Sequence, residues 1–507
     1  MVVNVDALSS TLSVGTPITS NYAWDFGDPG STDDQMTGFN AAHVYDQAGT
    51  YTIKLTVTDS NGKSATVAQQ VTIAASARNQ IFVDPSDGSD SNSGSENSPL
   101  KSLAAAFNKL NNNTEILLCA GQTFSINESM HINYSNVLIG RYGTGANPII
   151  SRSSGNGVSC IASYASTNGL TIQDITFTSP YYSTASNAPK IGVSGIYLGG
   201  QNCTVRDCSF LNLDDGINEN GNPVGVLIQG NSAPQTVGLR GYMVWGQGAE
   251  QVIIDNYAAG TTQEHIVRLV GVNEVTVEGN NFTNHDGKGC IEMHKGSYAW
   301  IQGNTVTGGD IRLGPLGLWG ESPSSSTDSC VIEDNQLTDT FIYLQAGTHN
   351  AMISNNIINN TAGQAIEVAG PDSQGRTSEN ITIINNTATD SGTQGNFIAV
   401  WGYVDGIVMQ KNLWIAPQEK ISLYGTSPVL VNGNYMSSFT LISDNVWGEP
   451  AAGVTGGINY ANGYLTAAQW DALPNVKGDV FESLPLDGSY QMTIDSLLVG
   501  ASIRAAA

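Results

Sequence analysis

An asparagine returns along most of the chain at intervals that point to stacked turns of a coil. Asn231, Asn256, Asn280, Asn304, Asn335, Asn356, Asn386, Asn412 and Asn434 are separated by 25, 24, 24, 31, 21, 30, 26 and 22 residues. Two residues after each stands an inward candidate: Ala233, Ala258, Phe282, Val306, Leu337, Ile358, Ala388, Trp414 and Met436. Earlier turns carry Cys208/Phe210 and Ile175/Phe177 in the same slots. Steps of this size match one turn of a parallel β-helix with loops of variable length. Asparagines stacked at a corner can hydrogen-bond up and down the stack. The L-x-x-L-x-L frame of a leucine-rich repeat, the main rival at this period, is absent.

Composition agrees with many short strands and tight turns. The 507 residues include 57 glycines and only 12% charged residues, and so long a chain is expected to hold several domains or a repeat. A net charge of -25 argues against nucleic acid as a partner. No apolar run is long enough to span a membrane. The six cysteines show no C-x-x-C spacing and lie in or beside apolar strands, as buried thiols would; Cys203 and Cys208 form the one pair close enough to test as a disulfide. The chain opens inside what reads as a domain and shows no signal peptide, as a trimmed form of a secreted bacterial protein would.

Residues 1–76 read as a small antiparallel sandwich, with alternating runs YTIKLTVTD and ATVAQQVTI around a Ser60-Asn61-Gly62 turn. The segments YAWDFGDPGS and HVYDQAGTYTIKLTVTDSNG resemble the signature of an immunoglobulin-like PKD domain. That resemblance makes Trp24 the core aromatic and Tyr45, Gly49 and Tyr51 the corner. It implies a spacer or carbohydrate-binding accessory of a secreted enzyme. Residues 77–437 form the expected β-helix. Its first part, with a helix carrying Leu103, Ala106, Phe107 and Leu110 on one side, resembles the plugged end of right-handed parallel β-helices. Asp84, Asp87 and Asp90 in the preceding loop read as a solvated turn, with a calcium ion as the alternative. Residues 438–507, with a short helix at LTAAQWDAL, read as a C-terminal cap.

About ten residues before each asparagine lies a strand whose inward pairs read Val267/Leu269, Ile291/Met293, Ile311/Leu313, Ile342/Leu344, Ile366/Val368 and Ile398/Val400. The outward residues between them are Arg268, Glu292, Arg312, Tyr343, Glu367 and Ala399, with His294 and Lys295 at the edge. Turns about 4.8 Å apart would merge these into one wall, with Trp245, Trp319, Tyr343 and Trp401 as flanking rings on which sugars could stack. A surface ion-pair ladder would read the same way.

Two chemistries suit such a wall. A polymer of uronic acids can be cleaved by β-elimination, which needs a cation on the carboxylate, a base for the C5 proton and an acid for the leaving oxygen. Lys295 is the candidate base, its pKa depressed by Arg268 and Arg312; either arginine could clamp the carboxylate, and His294 or His265 could pass protons. Alternatively, paired carboxylates hydrolyse a glycosidic bond, with Asp214, Asp215 and Glu219 or Glu292 and Glu367 as candidates. A third reading is a non-catalytic adhesin or tailspike-like binding protein. P-loop, dinucleotide, zinc-protease and Ser-His-Asp patterns are absent.

The stretches EHIVRLVG, GKGCIEMHKG and IRLG resemble the central turns of the β-helix lyases that include alginate lyases and chondroitinase B. That family shows E-x-I-R-I-G, then G-E-x-E-I-I-S-x-K-S, then L-R-H-G. The resemblance implies that Lys295 and Arg312 take the places of its catalytic lysine and arginine. The family's two calcium-ligand glutamates fall on Lys288 and Cys290, and Leu313 replaces the histidine after the arginine. The expectation is therefore a secreted lyase of acidic polysaccharide that needs no cofactor, with Lys288 in place of calcium as the source of positive charge.

Overall fold

A computed structural model describes residues 1–153, 158–182, 192–235, 238–284, 288–315, 321–359, 363–390, 396–415, 429–431, 435–448, 458–460, 463–465 and 467–482. The chain falls into two compact units, 1–304 and 305–507.

The first unit begins with two antiparallel sheets. Val2–Asp6 pairs with Asn40–Val44, and Gln35–Thr37, Asn21–Asp25, Gly49–Thr58 and Ser64–Ile73 form the other sheet. Trp24 is buried and donates from Nε1 to Gly38 O at 3.1 Å. Tyr45 is buried with its hydroxyl on Phe26 O at 2.7 Å, and its ring lies 4.2 Å from that of Tyr51. These are the roles expected of the core aromatic and the corner.

The coil follows, with three parallel faces. The first face holds Met130–Ile132, Val158–Ser163, Val193–Leu198, Asp215–Glu219, the start of Val244–Ile254 and of Val267–Glu278, and Ile291–Met293. The second face carries Thr204–Arg206, Val224–Gln229, the ends of the two long strands and Gly296–Gln302. The third holds short strands such as Ser209–Leu211 and Asn281–Thr283. At the open end sits the helix Leu103–Phe107, capped by Ser102, whose side chain accepts from Ala105 N at 3.2 Å. Asp90 receives the backbone N–H groups of Lys101 and Ser102, and Asp84 those of Ser86 and Asp87. These two aspartates therefore organise the turn.

The sandwich is docked on the second face. Phe39 and Tyr22 meet Trp300 edge-on, at 5.0 and 6.1 Å between ring centres. Asn40 donates to Gln251 O at 2.9 Å, and its carbonyl accepts from Thr276 Oγ1 at 2.7 Å. Arg206 of the coil pairs with Asp46 of the sandwich at 2.7 Å. Trp300 and Thr276 point outward from the coil yet are buried, because the sandwich covers them. The sandwich is thus part of the first unit's packing, and it occupies a face other than the charged one.

The asparagine ladder is present in both units. In the first, Asn231, Asn256 and Asn280 each donate from Nδ2 to Oδ1 of the next asparagine, ending at Asn304, at 2.9–3.0 Å. Each also donates to a strand carbonyl of the turn before, as Asn256 does to Ile228 O. The residue before each asparagine is left-handed: Gly230 (φ 64°), Asp255 (φ 55°), Gly279 (φ 66°) and Gly303 (φ 63°). Glycine and aspartate tolerate that geometry, and it closes the corner.

In the second unit the ladder runs Asn335, Asn356, Asn386, Asn412, Asn445. Asn434 lies outside the described residues; the rung after Asn412 is supplied by Asn445, which in turn donates to Asp479 at 3.0 Å. Parallel pairing also continues past 437, where the sequence suggested a cap. Phe439–Ser443 pairs with Val476–Lys477, and Val446–Gly448 with Val480–Glu482. The short helix is Ala467–Asp471. No disulfide joins any of the six cysteines.

Candidate active site

The inward pairs of the first face are wholly buried: Val267, Leu269, Ile291 and Met293 in the first unit, and Ile311, Leu313, Ile342, Leu344, Ile366, Val368, Ile398 and Val400 in the second. Alternation then turns the intervening side chains outward. In the first unit one outward column runs His131, Ala162, Tyr197, Asn218, Trp245, Arg268, Glu292, each opposite the next.

Outward does not mean exposed. Glu292, Arg268, His265 and His294 form a buried charged network, which corrects their reading as open wall residues. Glu292 Oε2 receives His265 Nε2 at 2.8 Å and His294 Nε2 at 3.1 Å, and it forms an ion pair with the Arg268 guanidinium, whose Nε lies 3.3 Å away. His294 also touches Arg268. His265 Nδ1 accepts from Gly289 N at 2.9 Å, so its proton is on Nε2 and is donated to Glu292. Arg268 extends to Tyr242 Oη at 3.0 Å and Glu264 at 3.6 Å, and Glu264 reaches Lys288 at 2.7 Å. Burial pushes the Glu292 carboxyl up, but the hydrogen bonds from His265 and His294 outweigh it and hold the group well below the usual range.

Lys295 stands at the edge of this network, half-buried, and among the described residues its ammonium has no hydrogen-bond or ion-pair partner. Its stem passes Gly271 (φ 72°), where a β-carbon would sit 3.4 Å from Lys295 Cε. Gly296 (φ 131°) follows because a β-carbon there would collide with Val272 O. Lys288 pairs with Glu264, and Cys290 is buried. An ammonium and a buried thiol do not fit calcium, which takes hard oxygen ligands. Among the described residues no group of three or more His, Cys, Asp or Glu could hold a metal ion.

The other candidate carboxylates of the first unit, Asp214, Asp215 and Glu219, are committed elsewhere. Asp214 is buried, 4.0 Å from the Arg240 guanidinium, and accepts from Gly192 N, so it is not the substrate contact expected of it. Asp215 is half-buried and accepts from Tyr242 N at 3.0 Å. Glu219 is buried and accepts from Gln247 N and Gln251 Nε2. Burial pushes its carboxyl up to about 8 despite those two hydrogen bonds. The folded chain therefore binds a proton there that an unfolded chain, with an ordinary glutamate, releases near pH 4.5. Stability falls as pH rises from about 4.5 to about 8, by on the order of 3 kcal/mol at pH 7. Glu219→Gln should raise the unfolding temperature at pH 7.5 far more than at pH 5. Equal shifts at both pH values in thermal melts would refute this account.

In the second unit Arg312 is held by Asp310, two residues earlier on the same side of the strand, at 3.0 Å through Nε and 2.5 Å through Nη2. Its guanidinium lies 5.3 Å from the centre of the Tyr343 ring, opposite it in register. Tyr343 is opposite Glu367, which takes a hydrogen bond from Gln364. Burial, then the charge of Asp310, pushes Glu367 up against the pull of Gln364 and Arg312. Trp401 is exposed, one strand beyond Ala369. Trp319 lies outside the described residues.

Asp310, Tyr242, Glu264 and Gln364 were missed by the sequence reading. For Asp310 the i, i+2 spacing to Arg312 was the available signal; Tyr242 precedes its strand and has none.

Residues 1–74 match the PKD domain family, and residues 241–436 match the right-handed β-helix region family. A 53-residue stretch is 47% identical to collagenase ColA of Bacillus cereus, covering 10% of this chain and 5% of the collagenase. Among solved structures, a mannuronic-acid-specific polysaccharide family 6 lyase from human gut microbiota aligns with a TM-score of 0.50 and 12% identity, over 83% of this chain and 94% of that one. The catalytic domain of a glycoside hydrolase family 87 α-1,3-glucanase with bound tetrasaccharides aligns with a TM-score of 0.50 and 14% identity, over 96% and 88%. Such identities carry the fold. No described helix is long and apolar enough to cross a membrane. The chain is a PKD domain followed by a right-handed parallel β-helix.

Proposed function

We propose that this chain is a secreted polysaccharide-active enzyme, a lyase that cleaves a uronate-containing polymer by β-elimination. The observation that carries the reading is Lys295, an accessible amine with no committed partner among the described residues, beside a sequestered charged network. A base must reach the substrate and be unencumbered. In its neutral form the amine takes the C5 proton, the C5–H electrons become the C4–C5 double bond, the C4–O bond breaks, and the leaving oxygen takes a proton from water or from the lysine. Lys288, 51% exposed, offers a cation to the substrate carboxylate on the same turn. In the second unit the Arg312 guanidinium is 26% exposed and oriented by Asp310. Arg268, His265, His294 and Glu292 position the strand and do not touch substrate.

Hydrolysis draws less support. Asp214, Glu219 and Glu292 are buried and hydrogen-bonded, so none offers an open nucleophile. Glu367, half-buried and with its carboxyl pushed up, is the candidate carboxyl whose state and exposure suit a general acid.

Digestion of a panel of uronate polymers decides between these. Growth of ultraviolet absorbance from a 4,5-unsaturated product supports the lyase. New reducing ends without that absorbance would establish a hydrolase, and neither signal would leave a binding protein.

A further inference from the structure

Three rings lie together on the first face, several turns from the charged network. His131 and Tyr197 occupy the same outward column, with Ala162 between them in register. Tyr164, two residues after Ala162, covers the space that the small side chain leaves. Its hydroxyl is 2.8 Å from His131 Nδ1. Its ring centre is 5.7 Å from that of His131, inclined by 24°, and 6.2 Å from that of Tyr197, inclined by 48°. The rings form a continuous strip, and Tyr164 remains 39% exposed. His131 is exposed and Tyr197 half-buried.

The same column continues through Asn218, Trp245, Arg268 and Glu292. At about 4.8 Å per turn, Tyr197 is roughly 19 Å and His131 roughly 29 Å from the Glu292 turn, at whose edge Lys295 stands. The advance of the coil per turn is close to the advance of one pyranose in an extended polysaccharide. Sugar rings present C–H faces that pack on aromatic rings, and the Tyr164–His131 hydrogen bond fixes the platform before a ligand arrives.

We propose that His131, Tyr164 and Tyr197 form a distal binding platform for the pyranose rings of an extended polysaccharide chain, four to six turns from Lys295. The proposal rests on reading this face as a polysaccharide groove, and it makes the enzyme one that favours long chains. Trimers reach only the turns near Lys295; octamers reach the platform.

The test uses size-fractionated trimers and octamers of each uronate polymer in the panel, with the full chain and with Tyr164→Ala, Tyr197→Ala and Tyr164→Phe. Octamer binding is measured by calorimetry and, where turnover occurs, kcat/KM is compared for octamer and trimer. Each alanine variant should weaken octamer binding by about tenfold and lower the octamer-to-trimer ratio of kcat/KM by a similar factor. Tyr164→Phe keeps the ring and should lose less than Tyr164→Ala. Thermal melts confirm that the variants fold. Octamer affinity and chain-length preference unchanged within twofold would overturn the platform while leaving the lyase reading standing. Octamer binding that falls in the variants of a chain showing no elimination would sink the lyase reading and uphold the platform. A chain that binds no octamer at all overturns both.

Discussion

Lys295→Ala should abolish elimination, lowering kcat by about 10²–10⁴-fold, the usual worth of a general base. The fold should be untouched, because the ammonium has no partner among the described residues and the side chain is half-buried at the edge of its strand. The informative companion is Lys295→Arg. A guanidinium keeps the positive charge and much of the reach, but it does not give up its proton at working pH. If Lys295 served only to attract an anionic substrate, arginine would preserve most of the turnover. If it takes the C5 proton, arginine should be nearly as inactive as alanine while KM or product affinity changes little. Product absorbance under saturating polymer measures both. Substantial kcat in Lys295→Arg would remove the lysine from the chemistry and leave Glu367 as the next group to test.

The coil was legible in the sequence because its two regularities are encoded residue by residue. Strand alternation separates Ile291 and Met293 from Glu292 without reference to anything distant, and all the inward pairs are buried. The ladder was legible because each asparagine must find its counterpart one turn on. It misled at one place. The motif around Asn434 carries the same signals as the true corner at Asp444-Asn445, where Asp444 is left-handed (φ 58°) and Trp447 is buried two residues later.

What the sequence could not convey is coverage of outward residues. Whether Glu292 meets water depends on how His265, Arg268 and His294 gather around its carboxylate, which the period does not convey. The same holds for Trp300, an outward tryptophan whose burial is explained only by the docked sandwich. Outward burial is thus the common reason why both the site and the domain interface escaped the pattern.

Removing the charge at the heart of the network should cost far more stability than removing Lys295. Glu292→Ala leaves the buried Arg268 guanidinium without the carboxylate opposite it and takes the acceptor from His265 and His294. Loss of one partner from a buried ion pair typically costs about 3–5 kcal/mol. Because each turn is stabilised chiefly by its neighbours, the loss should appear as an early, local transition in thermal melts. The wild type should show a matching acid limb. The folded carboxyl titrates below its unfolded value near 4.5, so its contribution is complete above that pH and declines as pH falls toward the folded value. Glu292→Gln should remove that limb while retaining part of the hydrogen bonding. Pairing Glu292→Ala with Arg268→Met tests whether the two act as a unit. Their combined cost should be smaller than the sum of the single costs, since the double variant buries neither charge. Additive costs, or a Glu292→Ala variant as stable as wild type at pH 7, would show that the network does not hold this part of the coil.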